Sequence, residues 1–571
     1  MPDAPAYHVK VNGKFVPTTW GQYSEQVTAA AKGLMALGAK RGDCVTIYAF
    51  NCEEWPQASL AAGTIGVTST GAYPDLSPNR VAHTINNSES RIVFVENLAM
   101  WSKLEPALGE LGNVEHFIIL DGAKPNHPKA LTWREFNAGG AAVPDADVQE
   151  RARAIQSNDT ASLIYTSGTT GAPKGVELSP KNLMFTAKVF QKLADLTPED
   201  RVICFLRLGH IADHMFSIGG PVVSGMQVFH SCKADLKEDL KTVRPTIFFA
   251  VPLVWDEIAS GIEAKVANLS KTQKWLKPWV DSVGSEAAKA RALGREPSGL
   301  GFWLANKLVF KKALEEAGLD KVRFAVSGGG ALKASTARTL ANLGIPILNA
   351  YGQSETAGII ACARPGVWRE GSLGKAPDGV EIKIAPSGEI LVRGDNTCKG
   401  YFKNPEATAK LYAHGDGWLA TGDVGKLDAK DYLDYDGRAG RIDKLSTGEY
   451  VNPEDHEKLM PGGVVADSVT VFKNRRFVTT VVVLDPRAAK RLAGDGADPV
   501  KSEAVRKAIQ ERIDQVNTQV DPHARIRKFF IVDRPLSADD GGEIGSTGKL
   551  IPDAVAKAFA TQIEEMYQRR N

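Results

Sequence analysis

Apolar and polar positions along this chain fall into blocks that switch between a period near two and a period near 3.6. Tyr7–Val11 and Lys14–Pro17 read as strands joined at Asn12-Gly13, a pair that favours a tight hairpin turn. Thr19 to Leu37 spaces its apolar residues as an amphipathic helix that stops at Gly38. Strand Cys44–Phe50, helix Glu53–Ala62, strand Val67–Ala72, helix Ser77–Asn87 and strand Arg91–Val95 follow in turn. Strand and helix alternating at this spacing predict an α/β fold, with a parallel sheet and helical crossovers.

The same pattern continues with local changes. Ala161 to Tyr165 is an apolar run that reads as a buried strand, and Ser179-Pro180-Lys181-Asn182 opens a helix. Arg244 to Pro252 reads as a buried strand turning into a helix at Leu253–Ile258, and Gly261 to Arg323 is a long helical region. Basic residues there (Lys271, Lys274, Lys277, Lys307, Lys311, Lys312) are interleaved with Trp275, Trp279, Phe302, Trp303 and Phe310. Such a segment suits a peripheral contact with a membrane surface. A solvated helical hairpin that packs its aromatics on the main body accounts for it equally well. Phe324 to Ser327 is a strand ending in three glycines. Near the C-terminus a hairpin (Ser468–Phe472 and Phe477–Leu484 around Asn474) precedes a helix from Ser502 to about Val520.

At 571 residues the chain exceeds what one core holds, so two or three structural units are expected. A formal charge of +2 argues against a nucleic acid or other general polyanion as partner. The six cysteines are scattered with no metal-ligand spacing, which fits a reduced, cytoplasmic chain. Met1 to Val11 lacks the basic-then-apolar order of a signal peptide. The longest apolar run, Thr246 to Trp255, is too short to span a bilayer and contains Pro252.

The informative chemistry begins where the strand ending at Tyr165 gives way to Thr166-Ser167-Gly168-Thr169-Thr170-Gly171-Ala172-Pro173-Lys174. Glycines let backbone N–H groups approach an anion, hydroxyls add donors, and Lys174 supplies a point charge, a combination suited to a polyphosphate. It is not a Walker A loop, because the four-residue gap between glycines and the Gly-Lys-Ser/Thr ending are both missing. Further on, Gly328-Gly329-Gly330-Ala331 offers a surface on which a flat base can lie, ahead of Tyr351-Gly352-Gln353-Ser354-Glu355. A carboxylate beside a triphosphate is repulsive unless a cation stands between them, so a phosphate-facing Glu355 would need a metal. His210, in Leu208-Gly209-His210-Ile211, taken by itself reads as a histidine satisfied by local hydrogen bonds.

Taken together, these motifs resemble the acyl- and aryl-adenylate-forming enzymes: AMP-forming acyl-CoA synthetases, peptide-synthetase adenylation domains and luciferases. The long helical region is typical of the long-chain fatty acid–CoA ligases, the bubblegum-like group among them. The resemblance runs from about Tyr7 to the last helix. It implies a large N-terminal domain over 1–437, with parallel-rich sheets flanked by helices plus a β-subdomain. A hinge over 438–443 and a small mobile α+β domain over 444–571 would follow. Carried over position by position, Thr166, Ser167, Gly168, Thr169, Thr170 and Lys174 would hold the ATP phosphates. Gly329, Gly330, Ala331 and Tyr351 would flank the adenine, Ser354 would contact the α-phosphate, and Glu355 would hold Mg²⁺. Asp423, after Trp418-Leu419-Ala420-Thr421-Gly422, would bind the ribose hydroxyls, and Arg438 the nucleotide. Lys549, in Gly545-Ser546-Thr547-Gly548-Lys549, would be the adenylation lysine, and His210 would lie beside the carboxylate substrate. The Ser446–Glu449 loop would meet the second substrate, coenzyme A. The pattern departs from the family at Pro180, Arg207, Leu253, Ala331, Gly440 and Asp553.

The implied reaction activates a fatty acid, medium- to long-chain, in two steps. The carboxylate attacks the α-phosphorus of Mg·ATP to give acyl-AMP and pyrophosphate, then the thiol of coenzyme A displaces AMP. Two alternatives compete: delivery of an acyl or aryl group to a carrier-protein thiol, and a silent nucleotide- or lipid-binding homologue. No carrier domain follows the last helix in this sequence, and Lys174, Glu355, Asp423, Arg438 and Lys549 are all retained. Both facts favour the ligase.

Overall fold

The computed structural model describes residues 1–166, 173–267, 271–494, 496–537, 542–545 and 550–568, without the side chains of 265–267 and 271–274. Ser167, Gly168, Thr169, Thr170 and Lys549 therefore lie outside the described residues. Strands Pro5–Val11 and Lys14–Thr19 pair antiparallel, and Asn12 and Gly13 take φ of 50° and 77°, as a tight hairpin turn requires. Helix Trp20–Ala36 starts with a capping box: the Thr19 hydroxyl accepts from Gln22 N, and the Gln22 side chain accepts from Thr19 N. Such a cap contributes about 1 kcal/mol. Sequence alone did not place the hairpin's partner: Pro5–Val11 pairs in parallel with Gln227–His230, which pairs with Arg201–Cys204.

The alternating strands assemble into one eight-stranded sheet. Its order is Gly400–Tyr401, Lys174–Leu178, Ser162–Thr166, Thr68–Ala72, Cys44–Tyr48, Ser90–Val95, His116–Ile119 and Ala130–Thr132. The six from Ser162–Thr166 onward run parallel, while Lys174–Leu178 and Gly400–Tyr401 each pair antiparallel to their neighbour. Cys44–Tyr48 and Thr68–Ala72 are buried at every residue, as strands covered on both faces must be. A further sheet holds Ile247–Ala250, Phe324–Gly328 and Leu348–Tyr351 in parallel, closed by Ala361–Cys362 antiparallel. Strands Val380–Ile384, Glu389–Gly394, Leu419–Leu427 and Leu433–Arg438 form the β-subdomain's sheet.

The chain divides into two compact units. The first holds Met1–Thr166, Pro173–Thr421 and Lys426–Tyr435; among the described residues the second holds Gly422–Gly425 and those from Asp436 on. In the second, Val465–Val471 and Val478–Leu484 form the expected hairpin, Ile526–Ile531 adds a parallel strand, and helix Glu503–Asn517 packs Val505, Ile509, Ile513 and Val516 inward. Helices Pro252–Ala267, Lys271–Ala292, Leu300–Ala305 and Lys311–Ala317 fill the long helical region, with one π-turn at Asn306–Phe310. No described helix is long and apolar enough to cross a membrane.

Candidate functional site

In α/β sheets ligands gather at the carboxyl ends of parallel strands. Three of the predicted motifs emerge there. The strand Ser162–Thr166 ends at Thr166, which pairs directly with Lys174 at the start of the returning strand. Phe324–Gly328 ends at a glycine whose added Cβ would stand 3.0 Å from Phe249 and 3.1 Å from the Ala350 carbonyl. Gly329 follows with φ of 75°, and residues 329–331 are exposed. Leu348–Tyr351 ends at Tyr351, whose ring centroid lies 6.2 Å from that of Tyr435. A crevice of about 650 Å³ opens instead at the amino ends, beside Cys44, Thr68 and Leu163. Arg91 there is already paired with Asp43 and Glu115, and among the described residues no member of the candidate nucleotide motifs lines it. The crevice is therefore not the site.

Ser354 and Glu355 sit on a single 3₁₀ turn, Ser354–Thr356. Gln353 fixes that turn from both sides. Its backbone N–H donates to Thr356 Oγ1 at 3.1 Å, and its amide donates to the Thr421 carbonyl at 2.8 Å. Ala357 then adopts φ of 49°, turning the chain so that Gly352 and Gly358 pack backbone to backbone; a Cβ at Gly352 would stand 2.2 Å from the Gly358 carbonyl oxygen. Ser354 is buried and Glu355 half-buried. The Tyr401 hydroxyl donates to Glu355 Oε1 at 2.7 Å, and Lys174 Nζ lies 5.1 Å from the centroid of the same Tyr401 ring. Burial, and after it the Glu355 carboxylate, push the nearby Cys398 thiol up to about 12, so this cysteine stays protonated.

Among the described residues no group of three or more His, Cys, Asp or Glu could hold a metal. A lone carboxylate nevertheless fits Mg²⁺, which takes one or two carboxylates and completes its shell from phosphate oxygens and water. In the second unit, Asp423 is almost wholly buried and its Oδ1 lies 2.9 Å from Arg438 Nε. The predicted ribose and nucleotide residues thus stand side by side.

His210 caps the short helix Ile211–His214, its Nδ1 accepting from Ala212 N at 3.2 Å, so a neutral ring carries its proton on Nε2. Next to it in the fold lies a polar cluster that carries no sequence motif. Asn51 accepts from Leu208 N at 3.3 Å, donates to the Leu206 carbonyl, and so clamps the turn leading into His210. Asp213 accepts from Ser217 at 2.9 Å and from Asn51 and Cys204 at 3.5 Å each. Arg207, which stands where the family has proline, pairs with Asp75 and lies 4.6 Å over the Phe50 ring.

Burial raises the Asp213 carboxyl from the ordinary 3.8 to about 7. The folded protein then holds a proton that the unfolded chain releases, so stability falls as pH rises from about 4 to 7, and the loss is complete above that window. Relative to wild type, Asp213→Asn is expected to flatten the profile, removing up to ~1.4 kcal/mol per pH unit within the window. Urea unfolding at pH 4.5, 6 and 8 measures this; parallel profiles would mean that Asp213 titrates normally.

The AMP-binding enzyme family model matches residues 1–402, and the AMP-binding enzyme C-terminal domain model matches residues 442–571. The chain belongs to the AMP-binding enzyme family. It is 31% identical to the Xenopus laevis long-chain-fatty-acid–CoA ligase ACSBG2, over 96% of this chain and 80% of that one. It is 29% identical to the Mycobacterium tuberculosis long-chain-fatty-acid–CoA ligase FadD15, over 100% of this chain and 95% of that one. Among solved structures, the anthranilate CoA ligase AuaEII in complex with anthranoyl-AMP superposes with a TM-score of 0.72 at 21% identity, covering 98% of this chain and 95% of that one. The Bacillus subtilis o-succinylbenzoate CoA synthetase MenE with ATP and magnesium gives 0.67 at 21%, covering 97% and 96%. These likenesses bear out the predicted fold class.

Proposed function

We propose that this protein converts a medium- to long-chain fatty acid to its acyl-AMP at the expense of ATP, then to the acyl-CoA. The convergence on Tyr401 of Lys174 and of Glu355, the latter next to Ser354 in the chain, is the observation that carries this reading. In this reading Lys174 is the cation for phosphate oxygens, Glu355 the carboxylate for Mg²⁺ and Ser354 the hydroxyl donor. Fatty-acid CoA ligases as relatives support the substrate class, and a solved fold neighbour with ATP and magnesium supports the co-substrates.

Little covalent chemistry by side chains is needed. Lys174 and Ser354 orient the triphosphate, Asp423 and Arg438 hold the ribose side, and Lys549 stabilises charge as the carboxylate attacks the α-phosphorus. Mg²⁺, when bound through Glu355, neutralises phosphate charge. His210, its ring tethered to the helix it caps, lies beside the carboxylate substrate in this reading. Acid-dependent exchange of pyrophosphate into ATP tests the first step, and AMP release on adding coenzyme A tests the second. Screening acids from acetate to oleate, with cinnamates, reads the chain length. Exchange with no acyl-CoA formed would favour a carrier-protein thiol, and no exchange with any acid would mean a silent binder.

The hinge reading rests on Gly440. An added Cβ there meets nothing within 4 Å, so Gly440→Ala is sterically free and serves as the control. Proline fixes φ near about −65° and also restricts Ala439 before it. Gly440→Pro is expected to spare adenylation and lower thioester formation from supplied acyl-AMP at least about tenfold, the scale of a conformational step made limiting. A wild-type rate in that assay would move the pivot to Ala439 or Arg441.

Peripheral membrane contact is part of the same proposal. Trp275, Leu300, Trp303 and Leu308 are 79%, 72%, 55% and 64% exposed, with Lys307 stacked on Trp303 at 5.0 Å. Co-sedimentation with anionic vesicles is expected, and Trp275→Glu with Trp303→Glu should abolish it; equal sedimentation of the double variant would leave the hairpin solvated.

A further inference from the structure

Tyr401 stands where two groups of opposite charge meet, with its face under the Lys174 ammonium and its hydroxyl on the Glu355 carboxylate. We propose that Tyr401 is a positioning residue of the adenylation site. It aims the Glu355 carboxylate and keeps the Lys174 ammonium from pairing with it, so that both charges remain available to magnesium and triphosphate. The proposal rests on the reading of Glu355 as the metal carboxylate and Lys174 as the phosphate cation.

The strand register builds this arrangement. Tyr401 pairs across from Val176, and Lys174 is two residues from Val176, so Lys174 is the diagonal neighbour of Tyr401 on the same sheet face. Diagonal positions are within reach of aromatic and long side chains. The backbone is held in three ways. Tyr401 N donates to Thr408 Oγ1 at 2.9 Å, and Gly400 has φ of 141° with a missing Cβ that would stand 2.5 Å from the Thr408 methyl. Cys398 N donates to the Glu355 carbonyl at 2.8 Å, tying the main chain of the carboxylate to the same segment.

A lysine and a glutamate that both reach one tyrosine side chain would, without it, be drawn to pair with each other. A direct ion pair would have to be broken whenever substrate arrived, and its two charges would cancel before then. Tyrosine offers a negative ring face to the cation and an O–H donor to the anion. Each contact is weaker than the ion pair it replaces, so substrate displaces neither at great cost. Phenylalanine would keep the face and lose the donor; leucine would lose both.

The test uses calorimetric titration of the full chain with Mg·ATP and, in EDTA, with metal-free ATP. Tyr401→Phe is expected to weaken Mg·ATP about tenfold, the scale of a hydrogen bond to a charged group, and to leave metal-free ATP binding unchanged. In a Glu355→Gln background the same substitution should have no further effect. Tyr401→Leu should also weaken metal-free ATP, because Lys174 is then free to pair with Glu355, and adding Glu355→Gln should restore it. Unchanged Mg·ATP affinity in Tyr401→Phe, or an equal loss with and without Glu355→Gln, overturns the proposal while leaving the site reading intact. A Glu355→Gln protein with wild-type Mg²⁺ dependence would overturn both. Urea unfolding of each variant separates these effects from lost stability.

Discussion

Lys549→Ala should lower acyl-AMP formation by roughly 10²–10³-fold, the usual cost of removing one charge-stabilising donor from a transition state. Thioester formation from supplied acyl-AMP should stay near the wild-type rate. The asymmetry follows from where charge develops. In the first step a carboxylate approaches an α-phosphate, both anionic, and a lysine ammonium offsets their repulsion as the new bond forms. In the second step the carboxylate charge is already masked in the anhydride. The coenzyme A sulfur, giving up its proton, bonds to a neutral acyl carbon while the C–O bond breaks and its electron pair leaves with AMP, so no two anions have to be driven together. The chain on either side of Lys549 is firmly held in its own domain. Ile544 and Leu550 form a β-bridge, Ile551 N donates to the Glu543 carbonyl at 2.8 Å, and Glu543 is buried in an ion pair with Arg534. That pair, more than any other interaction, holds the Glu543 carboxyl below its ordinary range. Pyrophosphate exchange reads the first step and AMP release from acyl-AMP plus coenzyme A reads the second. Equal losses in both would remove Lys549 from the adenylation role.

Much of the fold was legible because its signals are local. Asn12-Gly13 specifies a turn whatever surrounds it, and Ser179 with Asn182 caps the helix Pro180–Leu193 through contacts three residues apart. The candidate nucleotide motifs are contiguous as well, which is why a sequence can propose them. What was not legible depends on pairing between distant segments. Tyr401 lies in a two-residue strand whose position beside Lys174 is set by register with Lys174–Leu178, and no pattern in Gly400-Tyr401-Phe402 encodes that. Asn51 and Asp213 are likewise distant in the chain, and only the fold shows that Asn51 holds the turn before His210. His210 was legible as a residue worth attention, but its use as a helix cap depends on the turn at Arg207–His210, where arginine replaces the family's proline.

Glu355→Gln should separate two effects that act with opposite sign. Without a cation, a carboxylate about 4 Å from a phosphate oxygen is repelled by ~4 kcal/mol at an effective dielectric near 20. Glutamine removes that repulsion, so the variant should bind metal-free ATP more tightly than wild type. With Mg²⁺ present the same carboxylate becomes attractive, because it contributes one hard anionic ligand to an ion that takes few from protein. Glutamine offers a neutral oxygen in its place, so the Mg²⁺ concentration for half-maximal adenylation should rise and the adenylation rate should fall about a hundredfold. The local structure should survive, since Tyr401 can still donate to the glutamine carbonyl and the turn Ser354–Thr356 is fixed by Gln353 rather than by Glu355. Calorimetric titration with ATP in EDTA and a Mg²⁺ titration of pyrophosphate exchange measure the two effects. Tighter metal-free binding together with a raised Mg²⁺ requirement assigns the carboxylate to the metal. Weaker binding under both conditions would show instead that Glu355 acts only through the packing of its turn.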